Sequence, residues 1–531
     1  MLSQKYQDFL KLVIYQIYPR SFKDSNHDGI GDLNGIIEKL DYLQSLGVNA
    51  IWLCPCYKSP NDDHGYDISD YRDIMDEFGT MDDMKQLIAS LHARDMKLIM
   101  DLVPNHTSTA HKWFQQSHMS KNSPYSDYYY WFDEPQNDWK ACFGGSAWQY
   151  DEVREQYYLH SYAVSQADLN WECPAVVREM QNIVDFWVDL GVDGFRCDVI
   201  DQISKDWEHN RNMFGPRLHE FIHDLFGRDK TAHLFTVGEC WCNDLEEVYC
   251  HTASERGELS TVFQFDHMGC GREDKFIRKT PDLREVRDII TSWETLDEEH
   301  DLLYTLFTDN HDQPQFLSRV TDYSPLRYEA ATMLATMFYL LKGVPVIYQG
   351  QEFGMTAGYY DSLEDFDDIE SVNFYHELRK TMSHEEAMKK INFGSRDNTR
   401  RPMCWDDSEY GGFSDHKPWI TMHSEAKWEN LKTDLASEAS VFRFYQKLLK
   451  LRASSKAVLY GTFELLSKKE DHFCIYKREW EDEQLLVICN FEQPSEIITD
   501  TLMGKPLVTN LPSRTAINGC YAPYEAAVFR L

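Results

Sequence analysis

Residues 191–201, GVDGFRCDVID, place Arg196 and Asp198 two positions apart at the end of a short apolar run. Side chains at that spacing in a strand share a face, so a cation sits beside a carboxylate and favours its ionised form. A carboxylate kept charged in this way is prepared to act as a nucleophile. The same pattern also describes a structural ion pair on a loop, because such pairs shift pKa too. Two further acids end apolar runs elsewhere, Glu239 in FTVGE and Asp312 in FTDNHD. Each alone reads equally well as a helix-capping acid after a strand. Together they match what cleavage of a sugar acetal requires. One carboxyl protonates the departing oxygen, a second about 5 Å away attacks the anomeric carbon, and a third opposes the charge that develops on the ring. Glu239 would start protonated, a state that an apolar strand end favours.

A second constellation lies in residues 24–32, DSNHDGIGD. Asp24, Asn26, Asp28 and Asp32 present oxygens at positions one, three, five and nine, the carbonyl of Ile30 adds another, and Gly29 stands at six. That spacing wraps a hard cation such as Ca²⁺ or Mg²⁺. Position twelve is Gly35, so the loop is not an EF-hand, and a loop closed by Asx turns is the simpler alternative.

Positioning three distant acids demands a fold whose strand ends converge. The runs VIYQIYP, NAIWLCP, KLIMDLVP, GVDGFRCDV, HLFTVGE, TVFQFD, LLYTLFTD and VPVIYQG are short and apolar, and amphipathic stretches such as LNGIIEKLDYLQSL follow most of them. This alternation predicts an α/β fold, a (β/α)8 barrel with its chemistry at the C-terminal strand ends. TVFQFD is the weakest of the eight. Residues 106–173 are irregular and aromatic-rich, too long for a plain loop, and read as a loop-rich domain inserted after strand 3. From residue 455 the pattern alternates, which predicts a C-terminal antiparallel β-domain, a sandwich over 455–531. The barrel then comprises 1–105 and 174–454.

With 53 Lys and Arg against 88 Asp and Glu, the net charge of −35 argues against nucleic acid or anionic membrane as a partner. A neutral small molecule is the expected ligand. The 13 cysteines are scattered, often in apolar runs, and read as reduced interior residues. No leader-like start and no run of about 18 apolar residues occurs, which points to the cytoplasm. A monomer or small homo-oligomer is expected.

Seven motifs in register, YQIYPRSFKDSNHDGIGDLNGI, NDDHGYDISDY, DLVPNHTS, GFRCDVI, VGE, NHDQP and SRDNTRRPMCWD, resemble the α-glucosidases of glycoside hydrolase family 13. The similarity is greatest to the branch of oligo-1,6-glucosidase, dextran glucosidase and trehalose-6-phosphate hydrolase. The resemblance implies Asp198 as nucleophile, Glu239 as general acid/base and Asp312 as transition-state stabiliser. It implies that Asp63, Tyr66, His106, Arg196, His311 and Arg400 grip the non-reducing glucose, with Phe143, Tyr162 and Gln166 lining the pocket. It implies a structural Ca²⁺ or Mg²⁺ in the 24–32 loop, no catalytic cofactor, and an oligosaccharide substrate. Val199 matches the family position where Val accompanies α-1,6 linkages and Thr α-1,4 linkages. Gln315, Cys404 and Gln351 depart from the pattern at positions expected near the entrance or behind the site. A trehalose-6-phosphate hydrolase would need entrance cations, for which Lys205, Arg211 and Arg217 are candidates. A sucrose isomerase is disfavoured by VTDYSPLR, which lacks that group's Arg-rich loop. A catalytically dead binding relative is disfavoured by the three acids.

Overall fold

The computed structural model describes residues 3–242, 245–300, 302–467, 472–498 and 504–531. Eight short strands run parallel: β1 (Ile14–Ile17), β2 (Ala50–Leu53), β3 (Lys97–Leu102), β4 (Gly194–Cys197), β5 (Phe235–Glu239), β6 (Thr261–Phe263), β7 (Thr305–Leu306) and β8 (Val344–Tyr348). Their order, 6-5-4-3-2-1-8-7, becomes a ring because Val262 bridges Tyr304 in parallel. Side chains reinforce this seam: the Thr261 hydroxyl donates to the Leu303 carbonyl at 2.6 Å, and the Thr305 hydroxyl to the Val262 carbonyl at 3.3 Å. The weakest apolar run, TVFQFD, therefore does supply a strand, at the seam. Strands β1, β2 and β8 are buried at every position, as strands covered on both faces must be.

Local signals explain how the helices deliver these strands. Helix α1 (Met81–His92) opens on a capping box in which Thr80 and Asp83 satisfy each other's backbone N–H, and the chain then enters β3. Helix α2 (Pro174–Leu190) begins with Pro at its first turn and ends at Gly191, whose φ of 106° only glycine adopts freely. Its buried stripe of Val176, Met180, Ile183, Val184 and Trp187 packs on the barrel and sets the entry into β4. Gly194 is needed there because a Cβ would collide with the Phe235 carbonyl.

Between β3 and β4 the chain folds a helix (Lys112–Met119) and a three-stranded antiparallel sheet of Trp131–Phe132, Gln156–Leu159 and Trp148–Asp151. A two-stranded ribbon pairs His106 with Asp168 and returns the insertion to the mouth of the barrel. The C-terminal sheet is antiparallel, β9 (Thr462–Leu465), β10 (Phe473–Trp480), β11 (Glu483–Asn490), β12 (Val508–Thr509) and β13 (Ala526–Arg530), in the order 9-10-11-13-12. Residues 468–471 and 499–503 of the range expected for this unit lie outside the described residues. In β11, Leu485, Val487 and Cys489 face the main core, while Leu486 and Ile488 pack with Phe473 and Tyr521 under the ribbon Ser495–Ile497/Gly519–Tyr521. Every residue of LLVIC is apolar because both faces are covered. Helix α3 (Arg327–Tyr339), buried at ten successive positions from Ala330, lies between barrel and sheet.

His267, just beyond β6, shows what burial does to a titratable group. Its ring packs against Phe307, Phe316 and Phe338, Nε2 lies 2.8 Å from the Phe307 carbonyl, and the Gln264 amide donates to Nδ1 at 3.0 Å. Burial pushes its pKa down to about 3, so the folded ring stays neutral while the unfolded chain takes up a proton below about 6.5. This group's contribution to stability is therefore complete above pH 6.5 and lost as the pH falls toward 3. In His267→Asn, the fall in stability between pH 6.5 and 5 is expected to be shallower than in the parent by about 1 kcal/mol per pH unit. Parallel slopes in urea titrations at several pH values would refute this.

Candidate active site

Adjacent strands assemble the first wall. Arg196 on β4 is the register partner of Asp101 on β3 and Val237 on β5, so its guanidinium stands between two strand ends. Nη1 donates to Asp101 Oδ1 at 2.8 Å and to Asp198 Oδ1 at 2.7 Å; Nη2 donates to Glu239 Oε2 at 2.6 Å. Asp101 accepts further bonds from Trp52 Nε1 and the Tyr66 hydroxyl, both at 3.1 Å. After Asp198 the backbone turns left-handed at Val199, φ 35° and ψ 45°. That costs a β-branched residue about 1–3 kcal/mol, and the Val199 N–H so placed donates to Glu239 Oε2 at 3.2 Å.

This geometry corrects two expectations. Arg196 is not the private partner of Asp198, because one guanidinium serves three carboxyls. Burial, with Glu239 and Asp101 adding to it, pushes the Asp198 carboxyl above its ordinary range against the pull of Arg196, and burial pushes Asp101 up to about 6. Nor is the Glu239 carboxyl, although it ends the apolar strand β5, in apolar surroundings: its Oε2 is hydrogen-bonded to Arg196 and to the Val199 backbone.

The opposite wall comes from the chain after β7 and from the Arg396–Arg400 turn. Arg400 Nη2 donates to Asp312 Oδ1 at 2.7 Å and Arg396 Nη1 to the same oxygen at 3.4 Å, while Arg400 Nε holds the His311 carbonyl at 3.0 Å. Against burial, His311, Arg400 and Arg396 keep the Asp312 carboxyl well below the usual carboxylate range. The His311 ring stacks on Tyr66 at 5.4 Å, with Nε2 2.5 Å from the Tyr66 hydroxyl and Nδ1 2.8 Å from Gln16 Nε2. Burial lowers the pKa of His311 to about 3 and of His106 to about 4, so both rings are neutral hydrogen-bonding groups at pH 7. Asp63 accepts from Gln166 Nε2 at 3.0 Å and from Arg396 Nη2 at 3.4 Å; burial still pushes it up to about 6.

Between these walls lies a cavity of ≈ 500 Å³, within the usual range of small-molecule sites. Asp198, Glu239, Asp312, Asp63, Tyr66, His106, Phe143 and Tyr162 line it. Arg196, Gln166, His311 and Arg400 are not among its lining residues. They stand behind it, bonded to the side chains that are, although Arg400 keeps a buried Nη1 without a partner. Reading the sequence missed Asp101, Arg396, Trp241, Arg272, Lys275 and Glu370, the last five of which line the cavity. Arg396 binds Asp368 at 2.6 Å and lies 4.9 Å over the Phe143 ring. Its signal was the SRDNTR motif itself, in which only the second arginine was singled out.

The proposed entrance cations are also corrected. Lys205 is buried, with Nζ on Asp168, Asn105 and the Gln202 carbonyl, Arg211 pairs with Asp206, and Arg217 with Glu172 and Glu220. None of the three lines the cavity. Gln315, Cys404 and Gln351 likewise lie away from its walls: Gln315 bonds to the Asn398 carbonyl, Cys404 is fully buried, and Gln351 serves Thr308, Tyr339 and Tyr445. Among the cysteines, Cys142 and Cys520 are exposed instead of interior, and Cys142 lines the cavity.

In the 24–32 loop, Asp24 accepts from the N–H groups of Asn26, His27 and Gly29 and from Ser414. Against burial, these bonds hold its carboxyl below the ordinary value. Asn26 and Asp28 accept from the Asp28 and Ile30 N–H, and Asp32 from Ser25 and Gly35. An ionised Asp24 followed by alternate oxygens suits a hard cation by donor type, while the same oxygens already close the loop by Asx turns.

The family model of the alpha amylase catalytic domain matches residues 16–461. Over 510 residues the chain is 46% identical to an oligo-1,6-glucosidase of Parageobacillus thermoglucosidasius, covering 91% of this chain and 90% of that protein. Among solved structures, a trehalose-6-phosphate hydrolase of Bacillus licheniformis superposes with a TM-score of 0.93 at 37% identity, covering 98% and 99% of the two chains. An isomaltulose synthase of Klebsiella sp. LX3 does so with a TM-score of 0.93 at 36% identity, again covering 98% and 99%. A barrel with three carboxylates at its strand ends, and this extent of similarity, make the chain a member of the alpha-amylase family of glycoside hydrolases, family 13.

Proposed function

We propose that the protein is a retaining, exo-acting α-glucosidase that releases terminal glucose from α-1,6-linked oligosaccharides. The observation that carries this reading is the sharing of Arg196 by Asp198 and Glu239. A single guanidinium spans both, which suits the separation of about 5 Å in a retaining pair better than the wider gap of an inverting one. In this reading Asp198 attacks the anomeric carbon while Glu239 gives its proton to the departing glycosidic oxygen. Glu239 then takes a proton from the water that releases glucose from the glycosyl-enzyme. Asp312, kept ionised by its arginines, opposes the positive charge on the ring. Asp63, Tyr66 and His106 hold the sugar hydroxyls and ring face, and Phe143, Tyr162 and Trp241 leave apolar surface for the next sugar.

The relatives named oligo-1,6-glucosidase favour the α-1,6 linkage, and so does Val199, which lines the cavity. Val199→Thr is expected to raise the ratio of maltose to isomaltose turnover several-fold; an unchanged ratio would remove Val199 from the linkage preference. A second reading, hydrolysis of trehalose 6-phosphate, draws on Arg272, Lys275 and Arg396 in the cavity wall and on the similarity to the B. licheniformis enzyme. A product screen on isomaltose, panose, maltose, sucrose, trehalose and trehalose 6-phosphate tests both. Glucose from isomaltose and panose with none from the others supports the first reading; glucose only from trehalose 6-phosphate replaces it with the second.

The 24–32 loop is read as a structural site for Ca²⁺ or Mg²⁺, with Asp24, Asn26, Asp28, Asp32 and the Ile30 carbonyl as ligands. A chelator is expected to lower the melting temperature by several degrees, Ca²⁺ or Mg²⁺ to restore it, and Asp28→Asn to abolish the response. An unresponsive parent protein would leave only the Asx-turn loop. The cytoplasm is the proposed compartment, and no helix among the described residues is long and apolar enough to cross a membrane.

A further inference from the structure

Immediately after Glu239 the chain reads Cys240-Trp241-Cys242, and the helix Leu245–Thr252 carries His251. The two sulfurs and a ring nitrogen of His251 all lie within 4.8 Å of one another. Cys240 and His251 are buried and Cys242 is half-buried. His251 Nδ1 is buried without a hydrogen-bond partner, a position that costs a polar group free energy unless something binds it. Burial lowers the ring's pKa to about 3, so it is the neutral imidazole that a metal requires. No step of glycoside hydrolysis uses any of these three groups.

Two thiols and an imidazole form a soft donor set that selects late transition metals over Ca²⁺ or Mg²⁺. Tetrahedral coordination at about 2.3 Å for sulfur and about 2.0 Å for nitrogen brings ligand atoms to roughly 3.5 Å from each other. The observed spacing reaches that with side-chain movements of about an ångström. The surroundings fit as well, because His219 and Glu258, bonded to each other at 2.7 Å, form a second group with His251 within the same limit. A histidine or carboxylate this near can accept the second ring N–H of an imidazole whose other nitrogen is on an ion.

We propose that Cys240, Cys242 and His251 bind a thiophilic divalent cation of the Zn²⁺ class, and that its binding restrains the cavity wall and lowers turnover. Trp241, between the two cysteines, lines the cavity, stacks on Phe265 at 4.7 Å and donates its backbone N–H to Asp201 at 2.9 Å. Burial pushes the Cys240 thiol up, so each sulfur gives its proton to solvent as it joins the ion, and drawing the two sulfurs onto one ion moves Trp241 and the residue joined to Glu239. Displacement of an ångström at a catalytic group costs on the order of 10²-fold in rate. The site stands without the hydrolytic reading, whereas its effect on turnover rests on it.

Cobalt(II), a spectroscopic substitute for Zn²⁺, is added to the reduced, chelator-treated full-length protein. One equivalent is expected to give thiolate-to-cobalt charge-transfer absorption that Zn²⁺ abolishes. Cys242→Ser and His251→Gln are expected to weaken cobalt binding by about 100-fold or more, while Cys142→Ser retains the band. Cys242→Ser, a half-buried near-isosteric change, decides the matter if His251→Gln does not fold. Absence of the band, its survival in Cys242→Ser, or its loss in Cys142→Ser would overturn the site. With an aryl α-glucoside, Zn²⁺ is expected to reduce turnover at least tenfold in the parent and not in Cys242→Ser, reversibly by chelator. A bound ion with unchanged turnover would overturn the coupling to the cavity.

Discussion

Asp198→Asn lowers kcat on isomaltose and on an aryl α-glucoside by on the order of 10⁴-fold or more, with the fold intact. The amide keeps the size of the carboxylate, and its oxygen can still accept from Arg196 Nη1, which holds Asp198 at 2.7 Å. It cannot form the glycosyl-enzyme bond, so the loss falls on the chemical step and not on binding. Steady-state kinetics with a thermal melt separate the two effects. Parent-like turnover in a folded variant would remove Asp198 from the nucleophile's role, and a folded parent without any turnover would place the protein with the catalytically dead sugar-binding relatives.

Arg196→Met is expected to reduce both stability and turnover, because the fork of Arg196 is the shared counter-charge of three carboxyls. The guanidinium is 3% exposed, Asp101 is 1% exposed and Asp198 is 6% exposed. Removing the cation from such a group leaves buried negative charge uncompensated, which typically costs about 3–5 kcal/mol. Methionine fills much of the space, so packing is not the main loss. The burial that already raises Asp101 and Asp198 would then act without Arg196 to oppose it. A second proton in the cluster disarms the nucleophile. The parent and Arg196→Met are compared by denaturant titration and by kcat. Arg196→Lys should fall between them, since one ammonium keeps the charge but cannot reproduce the planar fork. Equal stability of parent and Arg196→Met would mean that the cluster relaxes by protonation at no cost to the fold.

Signals that act over a few residues were readable without coordinates. Short apolar runs marked the barrel strands, and acids after strands marked one face. The run LLVIC, apolar at every position, marked a strand buried on both faces but not what covers the second face. The ribbon Ser495–Ile497/Gly519–Tyr521 that covers one of those faces is too short for periodicity to reveal.

The order of residue types along the chain was enough to establish the barrel, the three acids and the family. Which groups share a charge was decided only in three dimensions. Arg196 shows its neighbour Asp198 in the sequence, but its bonds to Asp101 and Glu239 span 95 and 43 residues. Arg396 reaches Asp63 across 333 residues and Asp312 across 84. Periodicity and turn chemistry are local properties of the backbone, so they can be read in order. The balance of charge in a buried site depends on every group within a few ångströms, whatever its place along the chain.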